Sequence, residues 1–284
     1  MSWYLIINDE GRCEGLSFWR VYKLTVSGFA LNYTTPCGLM GGEPYRIMEL
    51  KPYTGVSKAT SSVILYVMMH IFSHFWFWFL SIFLFIAFNP VGLSMGILLA
   101  VIGGFCLLGI YFFSRGYKTG MAQKGIHLLT HIPFVKGWAK RFAESKKDTL
   151  EQIDSQIALL HQQHKRTFYS SLLFELSARV LQSFEIYLIL KAFNAEVGII
   201  DSILILAFSS LFSNLIFFTP MQLGSREGGL ALAVDGLHLT GALGVYTGLI
   251  TRLRELVWIA IGIMLIKIGN KNQLPKDTSD NKES

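Results

Sequence analysis

The chain has 284 residues, of which 52% are hydrophobic and only 15% are charged. Soluble domains carry about 25% charged residues, so this composition excludes an ordinary soluble domain and is typical of a membrane protein. The net charge of +6 does not indicate nucleic-acid binding, because the basic residues lie mostly in segments that flank apolar runs, as the positive-inside bias predicts. Cys13, Cys37 and Cys106 are far apart and form no zinc or disulfide pattern.

Residues 16–34 form a moderately apolar stretch that leads into a polar interruption at residues 32–46. The interruption contains prolines, glycines and a nearby acid and base: Pro36, Gly41, Gly42, Glu43 and Arg46. Proline and glycine end or kink a helix and free its backbone groups, which a bilayer tolerates only where protein or water satisfies them. We therefore expect a broken helix here, and we expect Pro44 and Pro52 to keep the following segment irregular.

Two long uncharged runs predict membrane-spanning helices. They are residues 62–87 and residues 91–114, and the turn at Asn89 and Pro90 separates them. About 20 apolar residues are enough to cross the roughly 30 Å hydrocarbon core. The pair is therefore expected to form a helical hairpin across the membrane.

Residues 115–166 form the one long polar segment, with ten basic residues against four acidic ones. This excess predicts a cytoplasmic location. Near residues 150–162 the apolar side chains recur at helical spacing, which indicates an amphipathic helix that lies on the bilayer or binds anionic lipid. Residues 269–284 are hydrophilic, and we expect this tail to be disordered.

The third span, residues 167–193, contains Glu175, Arg179 and Glu185. These side chains fall within about a third of the helix circumference, so their face is predicted to point toward protein rather than lipid. Glu175 and Arg179 have i,i+4 spacing, and they either form an ion pair along the helix or mark a polar pathway. The sequence leaves both interpretations open.

A second polar interruption follows a fourth apolar run, residues 202–218. Its breaking residues and charges are Pro220, Gly224, Arg226, Glu227, Gly228 and Gly229. Residues 230–239 are too short to cross the membrane, which predicts a re-entrant hairpin or half-helix. The last apolar run, residues 241–268, carries three charges near its middle: Arg252, Arg254 and Glu255.

The two interruptions share a Thr-Pro-x-x-Leu-x-x-x-Glu pattern. The matched positions are Thr35, Pro36, Leu39 and Glu43 against Thr219, Pro220, Leu223 and Glu227. Paired interruptions in two halves of a membrane protein indicate a central site between inverted repeats. We therefore predict an all-α, polytopic membrane helix bundle that forms a single domain over residues 1–284.

At that central site, three guanidinium groups are expected to bind an anionic lipid head group: Arg46, Arg226 and Arg252. Glu43 and Glu227 would hold these arginines in place between substrates. The supporting charges are expected to be Glu175, Arg179, Glu185, Arg254 and Glu255. The structural alternative is that Arg226 and Glu227 only cap and brace a bent helix.

Metal and nucleotide chemistry is not indicated. His70 and His74 have the i,i+4 spacing of two metal ligands, but no acidic ligand is near them in sequence, so we expect them to bond another helix. The sequence contains no phosphate-binding loop, nucleophile elbow or His-Glu-x-x-His motif. We therefore expect no cofactor, no metal and no ATP-driven transport by this chain alone.

The interruption at residues 32–46, the basic segment, and Gly-Ser-Arg-Glu-Gly-Gly at residues 224–229 followed by Arg252 resemble a known family. It is the flippase-like membrane family of lysylphosphatidylglycerol synthase transmembrane regions. The resemblance covers roughly residues 16–268. It implies a multi-pass protein of a bacterial-type inner membrane that translocates phospholipids or polyprenyl-linked lipids.

The same resemblance implies that some relatives are fused to a cytosolic aminoacyl-lipid synthase domain, and that additional hydrophobic helices usually precede the first interruption. This sequence offers only a brief stretch there, and its basic segment is too small to form a transferase fold. We therefore expect lipid translocation rather than catalysis. The alternative is an enzyme, or an enzyme subunit, that acts in lipid head-group modification.

Overall fold

The computed structural model describes residues 1–9, 11, 13, 15–35, 41–119, 151, 155, 165–216, 222–237 and 239–269. Within this part of the chain all regular secondary structure is helical, so the all-α prediction is confirmed. The helices are α1 (Ser2–Ile7), α2 (Phe18–Thr34), α3 (Gly42–Phe88), α4 (Leu93–Thr119), α5 (Lys165–Ala192), α6 (Ile199–Leu215), α7 (Ser225–Asp235) and α8 (Gly241–Gly269). The amphipathic helix and the disordered tail predicted above lie outside the described residues, apart from residues 151 and 155 of the former and Gly269, which ends α8, of the latter.

The helices form a membrane bundle. Two of them, α3 and α4, are long and apolar enough to cross a membrane by length and composition. α5 has 28 residues and α8 has 29, which at 1.5 Å per residue gives about 42 Å, more than the roughly 30 Å hydrocarbon core. The outer surface is apolar: the side chains of Leu93 and Leu108 are 85% and 70% exposed. A surface of this kind is matched by lipid and not by water.

Helix α2 and the first part of α3, residues 42–54, form an antiparallel pair that we call the amino-terminal hairpin. The Arg46 guanidinium donates to the carbonyl of Thr25 at 3.1 Å, and the Arg20 guanidinium lies 4.4 Å from the ring centroid of Tyr53. The hairpin ends at Gly55, whose φ of 78° and ψ of 166° interrupt α3. Beyond it, residues 56–88 continue as the long span.

The prediction that Pro44 and Pro52 make this segment irregular is wrong. Pro44 lies in the first turn of α3, where the backbone N–H groups have no partner within the helix to lose. Pro52 does lie inside the helix, but the interruption at Gly55 follows after one further turn. Pro36, the predicted breaking residue, lies outside the described residues.

Helices α6 and α7 form a second antiparallel pair, which we call the carboxyl-terminal hairpin. Gly224 precedes α7 with a φ of 80°, a conformation that favours glycine. α7 is an 11-residue helix between α6 and α8, which confirms the predicted half-helix. Gly228 and Gly229 were predicted as breaks, but they lie inside α7, where Gly229 lets the backbone of Ser209 approach closely. Pro220 is outside the described residues.

The two halves repeat the same order of elements. α2 and α6 each have 17 residues. Each leads through a break into a short helix, then through a second interruption, at Gly55 or at residues 236–240, into a long span. This order is the one that the proposed internal repeat requires. The halves meet where the Ser27 hydroxyl of α2 donates to the carbonyl of Gly262 in α8 at 3.3 Å.

The directions of the spans follow from their contacts. α4 runs antiparallel to α3, because Ile82 contacts Gly103 while Phe72, a few turns earlier, contacts Phe113. α5 runs in the same direction as α3, because Phe72 contacts Phe168 and Trp78 packs in one cluster with Ile186. The turn after α3 and the link after α5 are therefore at the same side of the bundle.

Replacing Gly42 by alanine is expected to destabilise the amino-terminal hairpin. A Cβ atom there would collide with the carbonyl of Gly28 and lie 2.8 Å from Oδ1 of Asn32. Overpacking of this kind costs about 1–3 kcal/mol, so thermal unfolding in detergent should begin at a lower temperature. Gly104→Ala is the matched control, since no atom lies within 4 Å of its added Cβ. Equal stability of both variants would contradict the close contact.

Candidate functional site

A central cavity of about 560 Å³ lies between the two hairpins and the spans α3, α5 and α8. Its polar lining comes from both halves of the chain and includes His70, His74, Arg179, Gln182, Ser209, Ser210, Ser213, Asn214, Gln222, Arg226, Arg254 and Glu255. The side chains of His70 and Arg254 are 50% and 39% exposed. The interior of this membrane bundle therefore contains a polar space.

One side of the cavity is built from a carboxylate that two arginines share. Glu255 is buried, and its carboxylate pairs with Nη1 of Arg226 and, at 3.5 Å, with Nη1 of Arg252. Arg226 belongs to α7, whereas Glu255 and Arg252 belong to α8. This shared carboxylate joins the carboxyl-terminal hairpin to the last span. Arg226 lines the cavity, and Arg252 lies behind it.

Glu227 both caps α7 and pairs with Arg252. One carboxylate oxygen accepts from the backbone N–H of Gly224 at 2.9 Å, and the other accepts from Nε of Arg252 at 2.8 Å. Nη2 of Arg252 also donates to the carbonyl of Gln222 at 3.0 Å. Arg252 therefore donates a hydrogen bond to a backbone carbonyl that has no helical partner at the break, and in this way it positions the start of α7.

Arg254 points to α5 and not to lipid. Its Nη1 lies 2.5 Å from Oε2 of Glu185, and its Nη2 lies 3.9 Å from Glu255. A charged side chain on a lipid-facing surface is costly. Arg254 of α8 avoids this cost because Glu185, on the predicted inward face of α5, is its partner. Arg254 lines the cavity beside Arg226.

Arg46 and Glu43 lie within the amino-terminal hairpin. Glu43 accepts from the side-chain amide of Asn32 at 2.9 Å and from Nη1 of Arg46 at 3.5 Å. The Arg46 guanidinium lies over the rings of Trp3 and Tyr66, at 5.7 and 5.5 Å from their centroids. Arg46 is only 5% exposed and does not line the cavity. The structure therefore does not bring Arg46 together with Arg226 and Arg252.

The amino-terminal hairpin reaches the cavity through other residues. Tyr33, in the last turn of α2, lines the cavity and lies close enough to Glu255, Arg226 and Arg252 to interact with them electrostatically. The two breaks therefore approach each other at Tyr33. At the base of the same break, Oδ1 of Asn32 accepts from the backbone N–H of Gly42 at 2.7 Å.

Glu175 and Arg179 bond α3 and not each other. Nδ1 of His70 lies 2.9 Å from a carboxylate oxygen of Glu175. Arg179 donates to the Ser73 hydroxyl at 3.0 Å and lies 2.8 Å from Nε2 of His74. The i,i+4 ion pair considered from the sequence does not form, because each side chain has a partner on the facing helix. His70, His74 and Arg179 line the cavity.

The two histidines therefore bond another helix, as expected. Among the described residues, no group of three or more His, Cys, Asp or Glu side chains has the arrangement of a metal site. The ring of His70 bonds one carboxylate, and the ring of His74 bonds one guanidinium. A guanidinium is a donor only and does not bind a metal ion.

A second, apolar cavity of about 200 Å³ lies between α3, α4, α6 and α7. Its lining includes Phe85 of α3, Leu98 of α4, Phe208 of α6 and Leu232 of α7. Trp78 lines this apolar cavity, and its indole N–H donates at 2.9 Å to the hydroxyl of Ser210, which lines the central cavity. A polar space and an apolar space are therefore neighbours in the bundle.

A sequence model of the family described as Lysylphosphatidylglycerol synthase TM region matches residues 1–262. The chain belongs to this family. The match confirms the resemblance inferred from the interruptions and extends over nearly the whole chain, including α1. It indicates a membrane protein related to lipid head-group modification or to flippase-like function. Searches of curated proteins and of solved structures found no match.

Sequence reasoning missed three of the residues that shape the site: Asn32, Tyr33 and Ser73. The signal for Asn32 was present, because an amide residue just before a Thr-Pro break is suited to accept a hydrogen bond from backbone that the break frees. Tyr33 and Ser73 gave no such signal. Their roles depend on which helices face each other.

Glu255→Gln is expected to destabilise the protein, because it leaves Arg226 buried without a carboxylate. Breaking a buried ion pair on one side costs about 3 kcal/mol or more. Thermal unfolding of the purified protein in detergent would measure the loss. Glu196→Gln, in the exposed link between α5 and α6, is the matched control. If the two variants unfold at the same temperature, the ion pairs of Glu255 do not stabilise the contact between α7 and α8.

Proposed function

We propose that this protein translocates a phospholipid or a polyprenyl-linked lipid with an anionic head group between the leaflets of a membrane. The observation that carries this proposal is the polar central cavity, which three arginines line while the outer faces of the helices are apolar. A head group crossing the membrane needs a polar path, whereas its chains do not. Membership of the lysylphosphatidylglycerol synthase family supports a lipid substrate.

Arg226 is the residue best suited to bind a phosphate. It lines the cavity, and its bonded partner is the single carboxylate of Glu255. A guanidinium offers five N–H donors in a planar fork that matches phosphate oxygens. Within the part of the chain that the structure describes, the hydrogen bond to Glu255 uses only Nη1, so the other donors of Arg226 can bind an anionic head group. Glu255 neutralises Arg226 when no head group is bound. Arg254 lines the same space and adds positive charge.

Arg252 and Glu227 would act indirectly, by holding α7 and the break in the orientation that presents Arg226. Arg46 and Glu43 would do the same for the amino-terminal break, since Arg46 is buried against aromatic rings. This assignment divides the five predicted head-group residues into one that contacts the substrate and four that position the site.

The neighbouring apolar cavity supports a lipid substrate in a second way. It is lined mostly by apolar side chains of four helices, and Trp78 in its lining bonds Ser210 in the lining of the central cavity. An acyl or polyprenyl chain buried there would keep its contacts with apolar groups while the head group occupies the polar space.

We also propose that the protein is a multi-pass protein of a bacterial-type inner membrane. The basic segment of residues 115–166 would be cytoplasmic. The turn after α3 and the link after α5 would be external, which agrees with their common side of the bundle.

A second candidate function is suggested by the family's description, which names a synthase. In this case the chain would be the membrane part of an enzyme that modifies lipid head groups. Formation of lysyl-lipid by the purified chain from aminoacyl-tRNA and phosphatidylglycerol would favour this function. Transfer of lipid between leaflets without chemical change would favour translocation.

Arg226→Gln is expected to reduce the transfer of fluorescent phosphatidylglycerol across proteoliposome membranes at least tenfold, because a charge-assisted phosphate contact contributes about 1.5–3 kcal/mol. Arg252→Gln is expected to lower both transfer and thermal stability. Arg115→Gln is the matched control, since Arg115 is exposed and outside the cavity. A folded Arg226→Gln protein with full transfer activity would place the head-group site elsewhere.

Cysteine labelling is expected to give opposite results on the two sides of the membrane. In a cysteine-free background, Asn89→Cys should react with an impermeant reagent in intact cells, because the turn after α3 is proposed to be external. Lys146→Cys should react only after permeabilisation. The reverse pattern would invert the proposed topology.

A further inference from the structure

The charged side chains in the interior of the bundle can be grouped by their partners. Four arginines each pair with a glutamate: Arg46 with Glu43, Arg226 with Glu255, Arg252 with Glu227, and Arg254 with Glu185. These four pairs are neutral. Among the described residues, the remaining Arg, His, Asp and Glu side chains that line the cavity or bond its lining are Glu175, Arg179, His70 and His74. This set is also neutral when both imidazoles are unprotonated.

His70 has the geometry of a proton-binding group within this set. Its ring nitrogen Nδ1 lies 2.9 Å from the carboxylate of Glu175, whose side chain is only 12% exposed. Because a carboxylate accepts, neutral His70 carries its proton on Nδ1 and leaves Nε2 free to accept a second one. The His70 side chain is 50% exposed and lines the cavity, so water in the cavity has access to it.

The entry of an anionic head group changes the charge of this neutral interior by one negative unit. Uncompensated charge in a low-dielectric interior is costly. A proton on His70 would compensate it, because the imidazolium is stabilised on one side by Glu175 and on the other by the anion in the cavity. Asp, Glu and His side chains that line membrane pathways serve as proton relays for this reason.

We propose that His70 binds a proton when an anionic head group enters the cavity, so that lipid and proton cross together as a neutral pair. This inference rests on the proposed translocation and names its coupling ion. Hydronium in the cavity transfers a proton to Nε2 of His70, leaving water. The Nδ1–H bond to Glu175 is retained, and the proton leaves with the lipid on the other side.

Other polar and charged groups surround His70. On α3 the ring of His74 lies 5.0 Å from that of His70, and Tyr66 interacts electrostatically with Glu175. On α5 the groups are Glu175 and Arg179, and across the cavity they are Tyr22, Tyr33, Arg226, Arg254 and Glu255. Arg179 opposes protonation of His70, but its guanidinium is bonded to Ser73, His74 and the carbonyl of His70. Glu175 is the group that bonds the imidazole ring itself.

The test measures transfer of fluorescent phosphatidylglycerol in proteoliposomes between about pH 5 and about pH 8, where histidine titrates, with a trapped pH dye. Wild-type transfer should rise as the pH falls, by at most about tenfold per pH unit for one proton, and each lipid should carry about one proton. Zwitterionic phosphatidylcholine, whose head group is neutral, should show neither the pH dependence nor proton movement.

Three variants separate the proposal from a structural role of the pair. His70→Gln should abolish both the pH dependence and proton movement. Glu175→Gln should shift the rise to lower pH, because the imidazolium loses its carboxylate partner. Glu196→Gln, in the exposed link, should behave as wild type. If His70→Gln does not fold, the shift of the pH dependence of transfer in Glu175→Gln tests the proposal.

Phosphatidylglycerol transfer that does not depend on pH in the wild type would overturn the coupling but leave translocation intact. So would an unchanged pH dependence in His70→Gln, or in Glu175→Gln. The absence of any lipid transfer by the wild type at every pH would overturn the proposed function and, with it, the coupling.

Discussion

Hydrocarbon gives no partner to a charge, so the ionised groups that these helices carry into the membrane need partners within the protein, on the same helix or on a neighbouring one. This requirement sets how the helices of the bundle meet. Arg226 joins α7 to α8 through Glu255, and Arg254 joins α8 to α5 through Glu185. Apolar packing alone would not select these neighbours, because lipid tails are as apolar as leucine.

Small residues allow the same helices to approach closely enough for these bonds. Gly42 lies against the backbone of Gly28 in the amino-terminal hairpin, and Gly229 lies against the backbone of Ser209 in the carboxyl-terminal hairpin. Each hairpin is therefore compact in itself, and the space between the hairpins remains as the cavity. The cavity results from where the small residues are, as much as from the charges that line it.

Much of this architecture could be predicted from the sequence, because it depends on local signals. The glycine at position 224, the uncharged run of α4 and the polar face of α5 each indicated their role without knowledge of the fold. The partners could not be predicted in the same way. Glu175 pairs with His70, which is distant in sequence, while the local i,i+4 pair with Arg179 does not form.

The prolines illustrate a second limit. A proline in the first turn of a helix removes no hydrogen bond, so Pro44 says nothing against a helix once the position of the helix start is known. That start is fixed by Asn32, which satisfies the backbone N–H of Gly42 from the preceding helix. The start of this helix therefore depends on a contact with another helix, which the local sequence does not show.

The interruption at Gly55 makes the two halves mechanically unequal. Among the described residues, no atom lies within 4 Å of the position that a Cβ of Gly55 would take, so a glycine in open space links residues 42–54 to the long span. The matching link in the other half, residues 236–240, is held by backbone hydrogen bonds from Leu237 and Leu239 to the carbonyl of Val234. We therefore expect the amino-terminal half to bend at Gly55 more readily than the carboxyl-terminal half bends at its own link.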